Sequence, residues 1–293
     1  MEVAMALDCV KLRADNFNTL YYETSKLLMS DKSRTVDLAG NVRTRELLAY
    51  TAILDNPYNR LVTLKDRNIS LRYLAGEYCF YLSGSRELKF INKYSTFWNK
   101  ISDDNIIVNS AYGYTIFKKE KQFEYAFNCL VEDKHTRKAI IYCSGDYNSY
   151  KSNDNICTST IQFLIRDNKL HCIVNMRSND IWFGFTYDVA FFTLLQEIML
   201  IKLQEGYIDL KLGEYVHHAG SMHVYQKDFY KLKNLVNNGV KNKSNIEQMP
   251  RLTKDDVNYW FKDLLDYEET YRLTGCKLDI NTTLFQHYFI GEL

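Results

Sequence analysis

The sequence has little proline, no block of charges of one sign and no long apolar run. Only 2 of its 293 residues are proline, and its 37 basic and 36 acidic side chains are interspersed, with a formal net charge of +1. This balance provides no surface for a polyanion, so we expect no direct nucleic-acid partner. No segment approaches the roughly 18 uninterrupted apolar residues of a membrane span, and the opening MEVAMALDCVKLRAD has too short an apolar run and too early a charge for a signal peptide. We therefore expect a soluble cytoplasmic protein without a membrane partner.

Cysteine is present, but its spacing is typical of neither a disulfide framework nor a metal site. The seven cysteines are an odd number, scattered without a CxxC pair and without the Cys/His spacing of zinc proteins. We therefore expect free thiols, a reducing compartment and no bound metal.

The apolar content is sufficient for a substantial core. The chain is 46% hydrophobic and 14% aromatic, and its length allows one large domain or two small ones. We expect one domain, spanning 1–293, with a minor appendage.

Apolar periodicity and turn residues predict alternating strands and helices. The predicted helices cover 17–29, 70–82, 122–132, 189–204 and 253–272. The predicted strands cover 48–54, 139–142 and 207–212, with a further strand before the first helix. The segment 189–204 is apolar almost all round, so we expect this helix to be buried. The segment 230–250 is polar and is expected to be a surface connection.

The most informative stretch is 155–188, NICTSTIQFLIRDNKLHCIVNMRSNDIWFGFTYD. Cys157 opens a predicted β-hairpin whose turn is at 166–169, and the returning strand 170–176 leads to Arg177 and Asp180. The hairpin is therefore expected to bring a nucleophile, a cation and carboxylates close together.

These motifs resemble the thymidylate synthase and pyrimidine hydroxymethylase superfamily, in which a catalytic Cys is followed by QF, by RSxD and by a residue that recognises the base. The resemblance implies that Cys157 is the nucleophile that adds to C6 of a pyrimidine, and that Asp188 faces the base. It also implies substrate contacts from Gln162, Arg177, Ser178 and Asp180, the last of which contacts folate as well.

Three further cationic positions are implied to bind phosphate. In the superfamily an Arg in an early loop folds over the nucleotide phosphate, and Arg43 matches it better by spacing than Arg45, although either could be a solvated loop residue. Arg137 and Lys138 occupy the place of two arginines that reach the phosphate of the other subunit. Lys138 keeps the charge but lacks the planar guanidinium fork.

The helix containing GEYCFYLSG resembles the HELLWFLxG helix of the superfamily, which makes Glu77 the carboxylate that orders water and relays protons. A carboxylate enclosed by aromatic rings is expected to have a raised pKa. Trp98 and Tyr112 match positions beside the pyrimidine and the folate. Either aromatic residue taken singly is equally consistent with core packing.

The segment HHAGSMHVY contains three histidines, but it lacks a helical i, i+4 pair and a nearby acidic ligand, which argues against a metal site. Its GSMHVY part resembles the GDxHxY motif that holds the deoxyribose 3′-hydroxyl. The resemblance assigns this role to His223 and Tyr225, and Ser221 stands in place of the acidic residue.

Asp188 differs from the residue that thymidylate synthases have at this position, and the difference concerns the choice of substrate. Thymidylate synthases have Asn there, and its amide contacts the uracil edge with one donor and one acceptor. Cytosine presents an amino donor, for which a carboxylate is the complement, whereas an ionised Asp facing uracil O4 would cost about 2 kcal/mol or more. A second departure is Ile156-Cys157-Thr158 in place of Pro-Cys-His, so the auxiliary His is missing.

The resemblance implies an α/β fold with a mixed twisted sheet, helices on one face and a homodimer through the sheet, with a catalytic core at about 34–230 and a C-terminal extension at about 250–293. The implied activity, as in the phage-type enzymes of DNA modification, transfers a one-carbon unit from 5,10-methylenetetrahydrofolate to C5 of dCMP, with water completing 5-hydroxymethyl-dCMP, in the host cytoplasm if the gene is a phage gene. The alternatives are a thymidylate synthase acting on dUMP, a dUMP or CMP hydroxymethylase, a dCMP methylase, or a nucleotide-binding module without activity.

Overall fold

The structure, a computed structural model, describes residues 9–143 and 151–293. The prediction that the N-terminal stretch is not a signal peptide falls partly on residues 1–8, MEVAMALD, which lie outside the described residues. The chain divides into two compact units, each taking three segments. The first unit comprises the chain up to Ile69, Cys172–Thr193 and Gly213–Gln248. The second comprises Ser70–His171, Leu194–Leu212 and Met249–Leu293. The expectation of a single domain stays a prediction.

Strands and helices alternate along the described residues. The strands are β1 Lys11–Ala14, β2 Arg34–Leu38, β3 Val42–Leu54, β4 Ile140–Tyr142, β5 Thr158–Arg166, β6 Lys169–Asp180 and β7 Lys211–Tyr225. The helices are α1 Phe17–Leu28, α2 Leu71–Leu82, α3 Leu88–Ile91, α4 Trp98–Ile101, α5 Gln122–Glu132, α6 Gly184–Leu203, α7 Phe229–Asn238, α8 Lys254–Asn258, α9 Lys262–Thr274 and α10 Leu284–Ile290.

The first unit is built on a mixed sheet with strand order β1-β3-β7-β6, and β2 pairs with β3. β1 is parallel to β3, whereas β2 and β7 are both antiparallel to it. Helix α1 follows β1 and is capped by the preceding residue, Asn16, whose side chain accepts a hydrogen bond from the backbone N–H of Thr19. The predicted mixed α/β fold is confirmed, while the homodimer stays a proposal.

The hairpin of β2 and β3 corrects one prediction. The segment 41–46 was expected to be a loop, but β3 begins at Val42 and includes both Arg43 and Arg45. The left-handed φ angles of Gly40 (77°) and Asn41 (59°) allow a tight reversal, which gives the preceding segment a partner strand. Arg43 lies directly opposite Asp37 in this pairing.

The second unit contains the predicted hairpin turn. β5 ends at Arg166 and β6 begins at Lys169, and the two residues between them, Asp167 and Asn168, both have positive φ angles of 48° and 55°. This is the geometry of a two-residue hairpin turn whose twist matches that of the strands. The prediction of the hairpin is confirmed, although β6 runs on to Asp180 and includes the RSND motif that was expected to follow it.

Helix α6 matches the predicted buried helix but begins earlier, at Gly184, so Asp188 lies in its first turns. Its 20 residues are long and apolar enough to cross a membrane, but 89% of its apolar window is buried inside the protein. This burial is typical of a core helix.

Three other predictions need correction. The polar segment 230–250 contains a helix, α7, because Leu232 and Leu235 are buried at helical spacing on an otherwise polar surface. The helix predicted at 253–272 is two helices, separated where Trp260 and Phe261 have positive φ angles of 48° and 54°. The strand predicted at 207–212 begins only at Lys211, as the first part of the long β7.

Candidate active site

Cys157 immediately precedes β5 in the second unit and is half-buried. All seven cysteines lie in the described ranges, and no disulfide joins any of them there. Burial raises the pKa values of Cys79, Cys143 and Cys172, and that of Cys143 reaches about 12. These three thiols are therefore kept protonated, which leaves Cys157 among the accessible candidates for a nucleophile.

The segment before Cys157 is fixed by two aspartates that the sequence did not reveal. Asp154 is buried, and its Oδ2 accepts hydrogen bonds from the backbone N–H groups of Asn109 (2.6 Å) and Ser110 (3.2 Å). Asp103 accepts a hydrogen bond from the backbone N–H of Asn153 at 2.8 Å. The chain that leads to Cys157 is thus attached to the loop that follows α4.

Glu77 lies in a cluster of aromatic side chains within the second unit. It is 5% exposed, and its Oε1 accepts hydrogen bonds from the hydroxyls of Tyr73 at 2.6 Å and Tyr81 at 3.4 Å. Trp98 Nε1 donates to the Tyr73 hydroxyl at 3.2 Å, and the rings of Tyr81 and Tyr112 are 5.5 Å apart. The structure therefore brings together three predicted site residues, Glu77, Trp98 and Tyr112.

Tyr73 and Tyr81 were missed, although the sequence carried a signal for both. They stand four residues before and four residues after Glu77, so all three side chains share one face of α2. Both hydroxyls donate to the same oxygen of this buried carboxylate, so two phenolic donors stabilise its charge.

Gln162 contacts the backbone of the cationic pair. Its Nε2 donates to the Arg137 carbonyl oxygen at 3.0 Å, and it lies opposite Ile140 in the β4–β5 pairing. Arg137 and Lys138 are both exposed. Gln162 therefore holds the backbone that carries these two cations.

Arg43 and Arg45 have different partners in the first unit. Arg43 forms a two-contact ion pair with Asp37, with Nε 2.7 Å from Oδ1 and an Nη 3.2 Å from Oδ2, on an exposed surface. Arg45 donates to the Ser33 hydroxyl at 2.8 Å and to the Ser30 carbonyl. A phosphate would have to compete with Asp37 for Arg43.

The RSND motif forms the end of β6. Arg177 is exposed and donates to the Ser178 hydroxyl at 3.1 Å. The two carboxylate oxygens of Asp180 accept hydrogen bonds from the backbone N–H groups of Trp182 (3.1 Å) and Phe183 (3.0 Å). Asp180 thus holds the turn between β6 and α6, and burial raises its pKa.

Asp188 is partly exposed, whereas Tyr187 and Val189 beside it are buried. Its Oδ2 accepts a hydrogen bond from Asn179 Nδ2 at 2.7 Å. Desolvation raises the pKa of Asp188 to about 7, the hydrogen bond from Asn179 opposes this shift, and the charge of Asp180 adds to it. The carboxyl is therefore populated in both its neutral and its ionised form near pH 7, whereas the prediction of a preference for cytosine assumed an ionised carboxyl.

A chain of hydrogen bonds continues from Asn179 into the core. Asn179 Oδ1 lies 3.1 Å from His217 Nε2, and His217 Nδ1 lies 2.8 Å from the Tyr215 hydroxyl. His217 is fully buried, and desolvation lowers its pKa to about 3, so its imidazole is neutral. In the sequence, His217 stands out only as one of three histidines in HHAGSMHVY, a spacing that argues against a metal site.

His223 and Tyr225 lie on the same face of β7, with their rings perpendicular and 5.1 Å apart. The Ser221 hydroxyl donates to Glu46 Oε2 at 2.5 Å, so a carboxylate from β3 occupies the neighbourhood where the superfamily motif has its own acidic residue. Gly220 is required there because a Cβ would lie 2.7 Å from the Arg177 carbonyl oxygen.

The structure thus groups the predicted residues within each unit. The first unit carries Arg43, Arg177, Ser178, Asp180, Asp188, His223 and Tyr225. The second carries Glu77, Trp98, Tyr112, Arg137, Lys138, Cys157 and Gln162. The closeness of Cys157 to Arg177 stays a prediction. Among the residues described, no group of three or more His, Cys, Asp or Glu side chains could hold a metal ion.

Comparison with known proteins gives a consistent result. The family profile for thymidylate synthase matches residues 20–274. The chain is 31% identical to a deoxycytidylate 5-hydroxymethyltransferase of Enterobacteria phage T2 over 224 residues, which are 73% of this chain and 88% of that protein. The enzyme of the same name from Enterobacteria phage T4 is 31% identical over 215 residues, or 70% and 84%. A deoxyuridylate hydroxymethyltransferase of Bacillus phage SP01 is 25% identical over 203 residues, or 64% and 52%.

Proposed function

The chain belongs to the thymidylate synthase family, and from this premise we propose that it transfers a one-carbon unit from 5,10-methylenetetrahydrofolate to C5 of dCMP and that water completes the product, 5-hydroxymethyl-dCMP. The observation that carries the choice of base is a carboxyl, Asp188, at the position where the family recognises the pyrimidine. The phage T2 and T4 relatives carry the name of this activity, which supports the proposal.

The chemistry begins at Cys157. The C5 atom of a pyrimidine is a poor nucleophile until a thiolate has added to C6, and a Cys thiolate adds readily and leaves readily. The S–C6 bond makes C5 nucleophilic, and C5 then forms a bond to the one-carbon unit that the folate supplies. Loss of the C5 proton and cleavage of the bond between the one-carbon unit and the folate nitrogen release tetrahydrofolate and leave an exocyclic methylene on C5. Water adds to this methylene and supplies the hydroxyl oxygen of the product. Cleavage of the S–C6 bond then restores the aromatic ring and the thiol.

The aromatic cluster of the second unit is suited to the folate and to water. Trp98 and Tyr112, both largely buried, are assigned to contacts with the pterin ring. Glu77, with two tyrosine hydroxyls on one oxygen, is positioned to order a water molecule and to accept its proton. Asp180 holds the turn before α6, and we assign to it a contact through that turn with the nucleotide and the folate.

The remaining contacts bind the nucleotide. The phosphate is assigned to five residues, namely Arg43, Arg137, Lys138, Arg177 and Ser178. The base is assigned to Gln162, and the deoxyribose 3′-hydroxyl to His223 and Tyr225. Because these groups bind the same atoms before and during the reaction, their loss is expected to raise KM more than it lowers kcat.

A single incubation tests the function. The protein is mixed with methylenetetrahydrofolate and either dCMP or dUMP, and the nucleotide products are identified from their masses by mass spectrometry. We expect hydroxymethyl-dCMP, with dCMP preferred by roughly two orders of magnitude. Thymidylate, methyl-dCMP or hydroxymethyl-dUMP as the main product would each replace the proposal, and the SP01 relative makes the last of these the second candidate.

Two substitutions serve as controls for that experiment. Cys157→Ser should abolish turnover while nucleotide binding persists, because phosphate and sugar contacts come from other residues. Cys129→Ser is the matched control, since Cys129 is also a partly exposed free thiol but lies on α5. Turnover by Cys157→Ser within tenfold of the wild-type rate would exclude the covalent mechanism. Bound nucleotide with no turnover in the wild-type protein would identify a binding module.

A further inference from the structure

The direction of the hydrogen bonds at Asp188 has a consequence for base selectivity. A neutral carboxyl has one donor and one acceptor oxygen, and it can exchange them by moving its proton. It can therefore complement cytosine, which offers the N3 acceptor and the amino donor, or uracil, which offers the N3–H donor and the O4 acceptor. A carboxyl at this position discriminates between the two bases only if something fixes which oxygen carries the proton.

The structure contains a group in position to do this. Asn179 Nδ2 donates to Asp188 Oδ2 at 2.7 Å, so Oδ2 is the accepting oxygen and a proton, when present, belongs on Oδ1. Asn179 is 3% exposed, so water does not compete for this contact.

The orientation of the Asn179 amide is itself determined by the core. Since its Nδ2 donates to Asp188, its Oδ1 must accept from His217 Nε2, 3.1 Å away. The neutral imidazole has one N–H, so Nδ1 must accept from the Tyr215 hydroxyl, 2.8 Å away. Every bond in the chain therefore points from Tyr215 toward Asp188.

Space around the contact is limited as well. A Cβ at Gly184 would lie 2.6 Å from Asn179 Nδ2 and 3.2 Å from Asp188 Oδ2. Only glycine at the start of α6 permits the amide and the carboxyl to meet in this way.

We infer that Asn179, oriented by His217 and Tyr215, is a positioning residue that fixes the donor and acceptor oxygens of Asp188 and thereby the preference for one pyrimidine over the other. This inference rests on the proposed function in one respect, that Asp188 faces the base. It does not require that the preferred base be cytosine.

The test measures the ratio of kcat/KM for dCMP to that for dUMP in variants of Asn179. Asn179→Ala removes the donor, so Asp188 can place its proton on either oxygen, and the ratio should fall by about tenfold. Asn179→Asp replaces the donor by an acceptor, which favours the proton on Asp188 Oδ2, and it should shift the ratio further in the same direction, by about a hundredfold.

The matched control is Asn18→Ala. Asn18 is a buried asparagine of the same unit whose side chain donates to Thr63 Oγ1 at 2.9 Å and accepts from the Thr63 backbone N–H at 2.7 Å. Its loss should lower stability without changing the ratio. If the Asn179 variants fail to fold, Tyr215→Phe removes only the hydroxyl at the far end of the chain, and calorimetric titration with dCMP and dUMP should still show a reduced preference.

The outcomes separate the inference from the proposed function. A wild-type protein that prefers dUMP would overturn the proposed substrate, while a ratio that still changes in the Asn179 variants would support the inference. Folded Asn179→Ala and Asn179→Asp proteins with ratios within about twofold of wild type would overturn the inference, whichever base the wild-type protein prefers.

Discussion

Two titratable side chains in the first unit have pKa values displaced in opposite directions. The pKa of Asp188 is raised from 3.8 to about 7, so between these values the folded protein binds more protons than the unfolded chain. The pKa of His217 is lowered from 6.5 to about 3, so there the folded protein binds fewer. The contribution of Asp188 to stability therefore falls with rising pH, whereas that of His217 rises. Between about pH 4 and pH 6.5 the two contributions oppose each other.

Single substitutions should reveal each effect. In the wild-type protein the contribution of Asp188 to the free energy of unfolding falls as pH rises from about 4 to 7, and Asp188→Asn removes this contribution. The stability of the variant relative to wild type should therefore rise over that range, by up to about 1.4 kcal/mol per pH unit. His217→Gln should show the opposite slope between about pH 3 and pH 6.5. Urea unfolding at a series of pH values measures both differences, and variant curves parallel to the wild-type curve would contradict the shifts.

At this scale the sequence could predict residue types but not their contacts. The resemblance placed Cys157, Glu77 and Asp188 at family positions from short motifs alone. The partners of Asp188 could not be predicted, because Asn179 and His217 are far apart in sequence and meet only when β6 and β7 lie in their observed register. The same holds for Glu46, which contacts Ser221 across 175 residues of chain.

Among the helices, α9 contributes a buried ion pair to the second unit. Glu268 Oε1 accepts from Arg272 Nε at 2.8 Å and from the Tyr94 hydroxyl at 2.7 Å, and the Arg272 guanidinium lies 4.0 Å from the Phe90 ring centre. The side chain of Glu268 is 2% exposed and that of Arg272 is 12% exposed. This helix is therefore tied to the segment that follows α2.

Arg272→Ala should destabilise the protein by about 3–5 kcal/mol, because it leaves the Glu268 carboxylate buried beside a single donor. Lys262→Ala is the control on the same helix. The Lys262–Asp266 pair is more than half exposed on both sides, so solvent screens it and its loss should leave the stability almost unchanged. Chemical denaturation compares the two, and equal losses would show that burial of the Arg272 pair is unimportant.

Elements with strong periodicity could be predicted, and those set by single backbone angles could not. Helices α1, α2 and α5 were evident from their apolar spacing, and α6 from a long segment that is apolar almost all round. The break between α8 and α9 arises from positive φ angles at Trp260 and Phe261, residues that rarely adopt this conformation. The β2–β3 hairpin was hidden because its short, exposed strand shows no clear alternation of apolar residues.

For the whole molecule, the homodimer is a testable proposal. The family resemblance assigns Arg137 to the phosphate site of the other subunit, while Cys157 serves its own. A mixture of Arg137→Ala and Cys157→Ser proteins, each impaired alone, should therefore regain activity, since a mixed dimer contains one site with both residues intact. With random exchange about a quarter of all sites would be intact.

Sedimentation supplies the control for that experiment. The wild-type protein should sediment as a dimer at micromolar concentration, and the mixed sample should exchange subunits before the assay. A monomer at that concentration, or a mixture no more active than its components, would contradict the shared site.

Neither unit is a continuous piece of chain, since each takes three segments that alternate along the sequence. A nascent chain emerges from the ribosome in order, at about 5–20 residues per second. When synthesis has reached Thr193, the first unit still lacks Gly213–Gln248, and the second lacks both Leu194–Leu212 and Met249–Leu293. Both cores are therefore completed late in translation, and the apolar α6 emerges before β7, whose His217 ring packs against Phe185 of this helix. Translation products shortened before Gly213 should be substrates for chaperones and proteases, without a folded half that could survive alone.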